Sequence, residues 1–180
     1  MPAAGGQAPL RYRRIVAKFG TNLLTADTDR LDLEMMAALV GQVARLVRRG
    51  AEVIVVTSGA MAAGRHRLGR GSRSRRDLVY KQVLGSIGQT QLMQSWDSLF
   101  AWHELVVGQT LITRRDIFDR LGYLNARNAL LGLLEVGAVP IVNENDVIAT
   151  DGFAEMRIGD NDNLSAYVAN LTDAGLLAIL

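Results

Sequence analysis

Apolar residues along the chain follow two patterns, short continuous runs and longer stretches with helical spacing. Five runs predict strands, each stopped by glycine, by polar residues or by the last residue: "RRIVAKFG", "EVIVVTSG", "ELVVGQTLI", "AVPIV" and "GLLAIL". The second run is apolar almost throughout, which is typical of a strand buried on both faces of a parallel sheet. We expect the final run, which reaches Leu180, to be buried as well.

Stretches with helical spacing lie between these runs. Residues 31–49, 78–100, 123–136 and 163–171 predict helices, and glycines at Gly50 and Gly137 end the first and third. Alternating strands and helices predict a three-layer α/β/α sandwich with a mainly parallel sheet and right-handed crossovers. Residues 146–158 predict a β-hairpin that turns at Asp151 and Gly152 and lies over the site as a lid.

Length and composition indicate one globular domain, or most of a larger one. We expect residues 1–12 to be a disordered lead and residues 13–180 to form the domain, with 49% hydrophobic and 21% charged residues in the chain. The absence of cysteine excludes disulfides, thiolate metal sites and a cysteine nucleophile, and it favours the cytoplasm. The sequence has no apolar segment of about 18 residues, so no membrane association is expected.

The net charge of +2 is small, but arginine is unusually concentrated in one segment. Six arginines lie between Arg65 and Arg76, with no aromatic residue before Tyr80. Binding of single-stranded nucleic acid usually adds stacking aromatics to such a run. A solvated loop is therefore the preferred interpretation, and a nucleic-acid partner is not expected.

The segment "AKFGTNLLT" places a lysine at the end of the first predicted strand. Lys18 is one of only two lysines, and Gly20 and Thr21 follow it. Glycine allows backbone N–H groups to approach an anion, and an ammonium group can bridge phosphate oxygens. An ordinary turn after a strand explains the same triplet, since the Walker motif is absent.

A second glycine turn follows the next strand, in "VTSGAMAAG". Ser58, Gly59 and Ala60 precede a predicted helix start, where exposed N–H groups suit a carboxylate or a phosphate. A tight strand–helix turn that needs glycine explains these residues equally well. The only histidines, His66 and His103, have no evident relation to Ser58, so a catalytic triad is not expected.

Two polar clusters lie near the end of the chain. "NEND" runs from Asn143 to Asp146 directly after an apolar strand, and "GDNDN" brings Asn161 and Asp162 before a helix. A helix N-cap and a turn residue account for one or two of these side chains, but not for all of them. Amides and carboxylates together suit the ammonium and carboxylate of an amino acid, or hydrated Mg²⁺.

In order and spacing, these segments resemble those of the glutamate 5-kinases of the amino-acid kinase family, from Arg13 to Leu180. The resemblance implies transfer of the ATP γ-phosphoryl group to the side-chain carboxylate of L-glutamate, the first step of proline biosynthesis. It also implies ATP and Mg²⁺ as cofactors, a homo-oligomer and proline as a possible feedback inhibitor.

The resemblance also assigns roles to residues of this chain. It implies catalytic roles for Lys18 and Asp162, and no metal ligand. The implied glutamate-binding residues are Ser58, Gly59, Ala60, Asp146 and Asn161, and the implied phosphate-binding residues are Lys18, Gly20 and Thr21.

The family pattern extends further than the last residue of this chain, Leu180. The resemblance leads us to expect, past Leu180, a Thr/Ser-Asp pair and a second lysine-bearing glycine loop for the nucleotide. One alternative is therefore a truncated fragment that binds glutamate or proline without turnover. Another is a different family member, acting on N-acetylglutamate, aspartate or UMP, although the two polar clusters argue against it.

Overall fold

Twelve helices and strands make up the part of the chain that the computed structural model describes, residues 9–69, 78–148 and 161–180. The strands are β1 (Arg14–Phe19), β2 (Glu52–Thr57), β3 (Val107–Ile112), β4 (Val139–Glu144) and β5 (Leu176–Ile179). The helices are α1 (Thr21–Thr25), α2 (Leu33–Arg48), α3 (Ala60–Leu68), α4 (Leu78–Ala101), α5 (Arg114–Phe118), α6 (Arg120–Glu135) and α7 (Asn161–Leu171).

The five strands form one sheet in the order β3-β4-β2-β1-β5, and every neighbouring pair is parallel. Parallel strands bring their carboxyl ends to the same edge, so the segments that follow β1, β2 and β4 lie side by side. This edge carries most of the predicted site residues.

Side-chain alternation along the strands builds two cores, one on each face of the sheet. Val53 and Val55 of β2 join the first core, which packs against α1, α2, α3 and α4. Ile54 and Val56 join the second core, which packs against α6 and α7. Helices cover both faces, so the predicted three-layer α/β/α sandwich is confirmed.

Helices α3 and α4 cross at very short distance through two glycines. A Cβ atom at Gly64 would lie 2.1 Å from the carbonyl oxygen of Leu84, and one at Gly88 would lie 1.7 Å from that of Ala60. Only glycine allows two backbones to approach so closely. The crossing fixes the position of the first turn of α3, directly after the end of β2.

The sequence patterns predicted the long elements well but missed the short helices α1 and α5. The expectation of a buried final strand was wrong, since Leu176 and Ile179 of β5 are 37% and 54% exposed. In the described part of the sheet β5 pairs only with β1, so one side of this strand has no neighbour. The predicted hairpin at Asp151 and Gly152 lies outside the described residues.

The start of the chain contributes to the first core. Leu10 and Tyr12 pack against it, and the guanidinium of Arg11 lies 5.3 Å from the ring centre of Tyr12. The boundary at residue 12 stays a prediction. Among the described residues, no helix combines the length and apolar character that crossing a membrane requires.

Candidate active site at the carboxyl ends of the strands

Lys18 turns its side chain toward the α7 face of the sheet, because it lies one full strand period after Val16 of the second core. Its ammonium nitrogen lies 2.5 Å from Oδ1 of Asp162 in the first turn of α7. The lysine side chain is 9% exposed, and the aspartate side chain is 40% exposed. A buried ammonium needs a compensating charge, which Asp162 supplies.

The extended backbone after Lys18 stays hydrogen-bonded to the end of the chain that follows β5. The backbone N–H of Gly20 donates to the carbonyl oxygen of Leu180 at 2.9 Å. A Cβ atom at Gly20 would lie 3.3 Å from the ammonium nitrogen of Lys18 and 3.2 Å from that carbonyl oxygen. Glycine therefore keeps the approach to the ammonium open.

Thr21 begins α1 and lines a polar cleft of about 820 Å³ between α1, the loop after it and the end of α3. The cleft wall includes Arg30, Arg65 and His66, and Arg65 is paired with Asp29 at 2.7 Å. Thr21 thus contributes to a surface with both cations and carboxylates.

The end of β2 turns sharply into α3. Gly59 has a φ of +93°, a left-handed conformation that disfavours other residues, and it is the N-cap of α3. Ser58 and Ala60 on either side are buried, as are most residues of the first turns of α3. This turn brings the Ser58 hydroxyl and the start of α3 to the same edge as Lys18.

Asn161, at the start of α7, connects the ends of β2 and β4. Its side-chain amide donates to the carbonyl oxygen of Thr57 at 2.7 Å, to the hydroxyl of Ser58 at 2.5 Å and to Oδ1 of Asn143 at 3.3 Å. Since Asp162 is the next residue, the Lys18 ion pair and this amide network meet at the first turn of α7.

Two buried residues of the strands extend the network toward α4. Asn143 of β4 donates through Nδ2 to Oε1 of Gln89 at 2.8 Å, and its Oδ1 accepts from the backbone N–H of Glu144 at 2.9 Å. The indole N–H of Trp96 donates to the hydroxyl of Thr57 at 3.1 Å. The polar edge is therefore anchored to a helix on the opposite side of the sheet from α7.

Asp146 lies on the α4 side of the same edge. A Cβ atom added at Gly85 would lie 2.8 Å from Cβ and 3.3 Å from Oδ2 of Asp146, so glycine permits this packing. The side-chain amide of Gln82 also donates to the carbonyl oxygen of Val147 at 2.9 Å. These contacts hold the segment after β4 against α4.

The structure thus joins several predicted residues in pairs, Lys18 with Asp162 and Ser58 with Asn161. It places Thr21 on the cleft and Asp146 against α4, while the roles of all of them stay predictions. The other half of the second polar cluster, Gly159 and Asp160, lies outside the described residues.

The sequence analysis gave no role to three members of the network: Thr57 and Gln89, which it did not single out, and Asn143, which it named only as the start of the first polar cluster. Alternation along β4 gave a signal for Asn143, because it comes after Val139 and Ile141 on the same face. Gln89 lies three and seven residues before the buried Leu92 and Trp96, so it is a polar residue on an apolar helix face.

No group of three or more His, Cys, Asp or Glu side chains within the described ranges lies where it could hold a metal ion. The described residues of the site offer the paired Lys18 ammonium, the carboxylates of Asp146 and Asp162, hydroxyls, carboxamides and the start of a helix.

Comparison with known proteins defines the class first. The model of the amino acid kinase family matches residues 13–180, and the chain belongs to that family. The five-stranded parallel sheet with helices on both faces agrees with this assignment.

Individual relatives are more specific. The chain is 56% identical to the glutamate 5-kinase of Dehalococcoides mccartyi (strain ATCC BAA-2266 / KCTC 15142 / 195) over 94% of its own length and 45% of the relative's. It is 52% identical to the glutamate 5-kinase of Herpetosiphon aurantiacus, with the same shares. It is 50% identical to the glutamate 5-kinase of Shewanella amazonensis, over 94% of this chain and 44% of the relative. The resemblance seen in the sequence is confirmed, and the chain spans about 45% of the length of these relatives.

Proposed function

We propose that this chain carries the amino-acid site and part of the phosphate site of an enzyme that converts L-glutamate and ATP to L-glutamyl 5-phosphate and ADP. The observation that carries the proposal is the Lys18–Asp162 ion pair beside the Asn161 network, at the edge where parallel strands end. The identity to named glutamate 5-kinases supports the choice of substrate.

In this reaction an oxygen of the side-chain carboxylate attacks the γ-phosphorus of ATP, and the bond from that phosphorus to the bridging oxygen of ADP breaks. Such transfer needs little covalent help from the protein and depends on positioning and on neutralisation of charge. Lys18 supplies a positive charge between the two anionic reactants. Asp162 holds the ammonium nitrogen at 2.5 Å and so fixes its direction, which is the catalytic role that we propose for it.

Recognition of glutamate falls to the residues around the amide network. We propose that Ser58, Asp146 and Asn161 bind the amino acid. The backbone N–H groups of Gly59 and Ala60 donate hydrogen bonds to a carboxylate of the substrate. The carboxylate of Asp146 suits the substrate ammonium, and the hydroxyl of Ser58 suits an oxygen acceptor.

For the nucleotide we propose that Lys18, Gly20 and Thr21 contact the phosphates. Mg²⁺ neutralises phosphate charge when it is bound with ATP. Since the described residues offer no group of three acidic or histidine side chains, we expect Mg²⁺ to be held largely by the phosphates and water. A homo-oligomer, inhibition by proline and a cytoplasmic location are further proposals that rest on the resemblance alone.

The test is a hydroxamate-trapping assay with L-glutamate and Mg-ATP, with aspartate and N-acetylglutamate as alternative acceptors. We expect product with glutamate only, and a loss of at least about a hundredfold in the Lys18→Met variant, equivalent to nearly 3 kcal/mol of transition-state stabilisation. The matched control is Lys81→Met, which removes the other lysine of the chain and should leave the rate unchanged. Equal rates in the two variants, or a preference for another acceptor, would contradict the proposal.

A further inference from the structure

The indole of Trp96 is a fixed hydrogen-bond donor beneath the end of β2. It is fully buried, and the ring centres of Phe19 and Phe100 lie 5.8 Å and 6.1 Å from its own. Its N–H donates to the hydroxyl of Thr57 at 3.1 Å, and Thr57 is fully buried as well. Because an indole nitrogen can donate but cannot accept, the hydroxyl oxygen must be the acceptor in this contact.

That role determines where the hydroxyl hydrogen of Thr57 points. A hydroxyl group carries one hydrogen, and the bond from the indole leaves this hydrogen free for another acceptor. The acceptor is the backbone carbonyl oxygen of Ser58, which lies 3.3 Å from the hydroxyl oxygen. The two hydrogen bonds form a relay, from Trp96 through the Thr57 hydroxyl to the Ser58 carbonyl.

The relay fixes the peptide group between Ser58 and Gly59. This group is planar and trans, so its carbonyl and its N–H point in opposite directions. With the carbonyl bonded to the buried hydroxyl of Thr57, the N–H of Gly59 is turned away from that hydroxyl. The amide of Asn161 holds the same turn from α7, through the Thr57 carbonyl and the Ser58 hydroxyl.

From this geometry, and resting on the proposed function, we infer that Trp96 and Thr57 are positioning residues: together they orient the N–H of Gly59 toward a carboxylate of the amino-acid substrate. Neither side chain touches the substrate in this role. Trp96 acts through Thr57, and Thr57 acts through the peptide group that follows Ser58. A donor held in its binding direction before the ligand arrives raises affinity, because binding then requires less ordering.

The first test is calorimetric titration of L-glutamate into the wild type, Thr57→Val and Thr57→Ser. Valine has nearly the shape of threonine but no hydroxyl, so neither bond of the relay can form. We expect the Kd for L-glutamate to rise at least about fivefold in Thr57→Val. The conservative variant Thr57→Ser keeps the hydroxyl and should bind within about twofold of the wild type. Circular dichroism and thermal midpoints select a temperature at which every variant is folded.

Trp96→Phe tests the other end of the relay. Phenylalanine keeps an aromatic ring against Phe19 but has no N–H, so the hydroxyl of Thr57 is free to turn. We expect the Kd to rise at least about threefold. The double variant with Thr57→Val should match Thr57→Val alone within about twofold, because one substitution already interrupts the relay.

The matched control is Phe100→Leu, which reduces packing against the same indole and leaves its N–H in place. It should lower the thermal midpoint and keep the Kd for L-glutamate within about twofold of the wild type. This variant separates positioning from a general loss of stability around Trp96.

The backbone amide of Gly59 reports on the proposed hydrogen bond directly in a nitrogen–proton NMR spectrum. Saturating L-glutamate should move its proton resonance downfield in the wild type and in Thr57→Ser. The shift should be clearly smaller in Thr57→Val at saturation, because the N–H is no longer held toward the carboxylate.

The outcomes distinguish this inference from the proposed function. If the wild type binds glutamate and both Thr57→Val and Trp96→Phe bind it within about twofold of the wild type, the inference is overturned while the proposed function stands. It is also overturned if Phe100→Leu raises the Kd as much as Trp96→Phe, or if glutamate leaves the Gly59 resonance of the wild type unmoved. If the wild type binds no glutamate, both are overturned.

Discussion

Gly88 of α4 offers a sharp test of how the fold positions the site. A Cβ atom there would lie 1.7 Å from the carbonyl oxygen of Ala60 and 2.5 Å from the backbone nitrogen of Gly64. Ordinary contacts between non-bonded heavy atoms need about 3.5 Å, so Gly88→Ala requires α3 and α4 to separate by nearly 2 Å. Both obstructing atoms belong to backbone, so no side chain can rotate away.

The magnitude depends on two opposing effects. Alanine is favoured over glycine in a helix interior by about 1 kcal/mol. Overpacking usually costs about 1–3 kcal/mol and more where the backbone must move, so we expect a net loss of more than about 2 kcal/mol. The displaced atom belongs to Ala60, next to Ser58 and Gly59. Gly88→Ala should therefore also weaken glutamate binding at temperatures where the protein is still folded.

Urea unfolding measures the first effect, and calorimetry measures the second. With an m-value of about 1–3 kcal/mol/M, the midpoint should fall by roughly 1 M or more at unchanged m. The matched control is Gly132→Ala in α6, where, beyond its chain neighbours and its own helix backbone, no atom of the described residues lies within 4 Å of the added Cβ. That variant should gain about 0.5–1 kcal/mol and bind glutamate as the wild type does. A Gly88→Ala protein as stable as Gly132→Ala would refute the close crossing.

Further predictions concern the anchoring of the site and its surroundings. Thr57→Val leaves the buried indole N–H of Trp96 without its acceptor and should destabilise the protein by about 1–3 kcal/mol in urea unfolding; an unchanged midpoint would show that this hydrogen bond contributes nothing. Gly59→Ala places a side chain at a φ of +93° and should cost about 1–2 kcal/mol, while also raising the Kd for glutamate; a stabilised variant would contradict the left-handed turn. Asp119→Ala removes the side chain that caps α6 through the N–H of Gly122 and should cost about 1 kcal/mol without changing the glutamate Kd, which makes it a control for stability alone.

The long elements of this fold were predictable because their periodicity extends over enough residues to be recognised. Helix α5 has five residues, too few for a period, although Thr113 and Asp116 form a reciprocal capping pair that is visible in the sequence. Burial of β5 was predicted wrongly because its apolar run does not reveal which neighbours the strand has. Sheet order decides that, and it depends on contacts between distant parts of the chain.

The site was partly predictable, because some of its residues belong to patterns that are local in the sequence. Polar residues directly after apolar strands, such as Asn143 and Ser58, are visible locally, and parallel strands must bring them together. The link from Asn143 to Gln89 spans 54 residues and depends on how α4 rotates and crosses the sheet. No local pattern determines that rotation, so the sequence predicted Gln89 only as an ordinary member of a helix with close glycine packing.

The central claim is that the segment after β4 and the start of α7 form one amino-acid site. The most direct test is calorimetric titration of L-glutamate into the wild type and into Asp146→Ala, with circular dichroism to establish that both are folded. The account predicts saturable binding by the wild type and a loss of at least tenfold in the variant, about 1.4 kcal/mol. Binding by Asp146→Ala within about twofold of the wild type would contradict it.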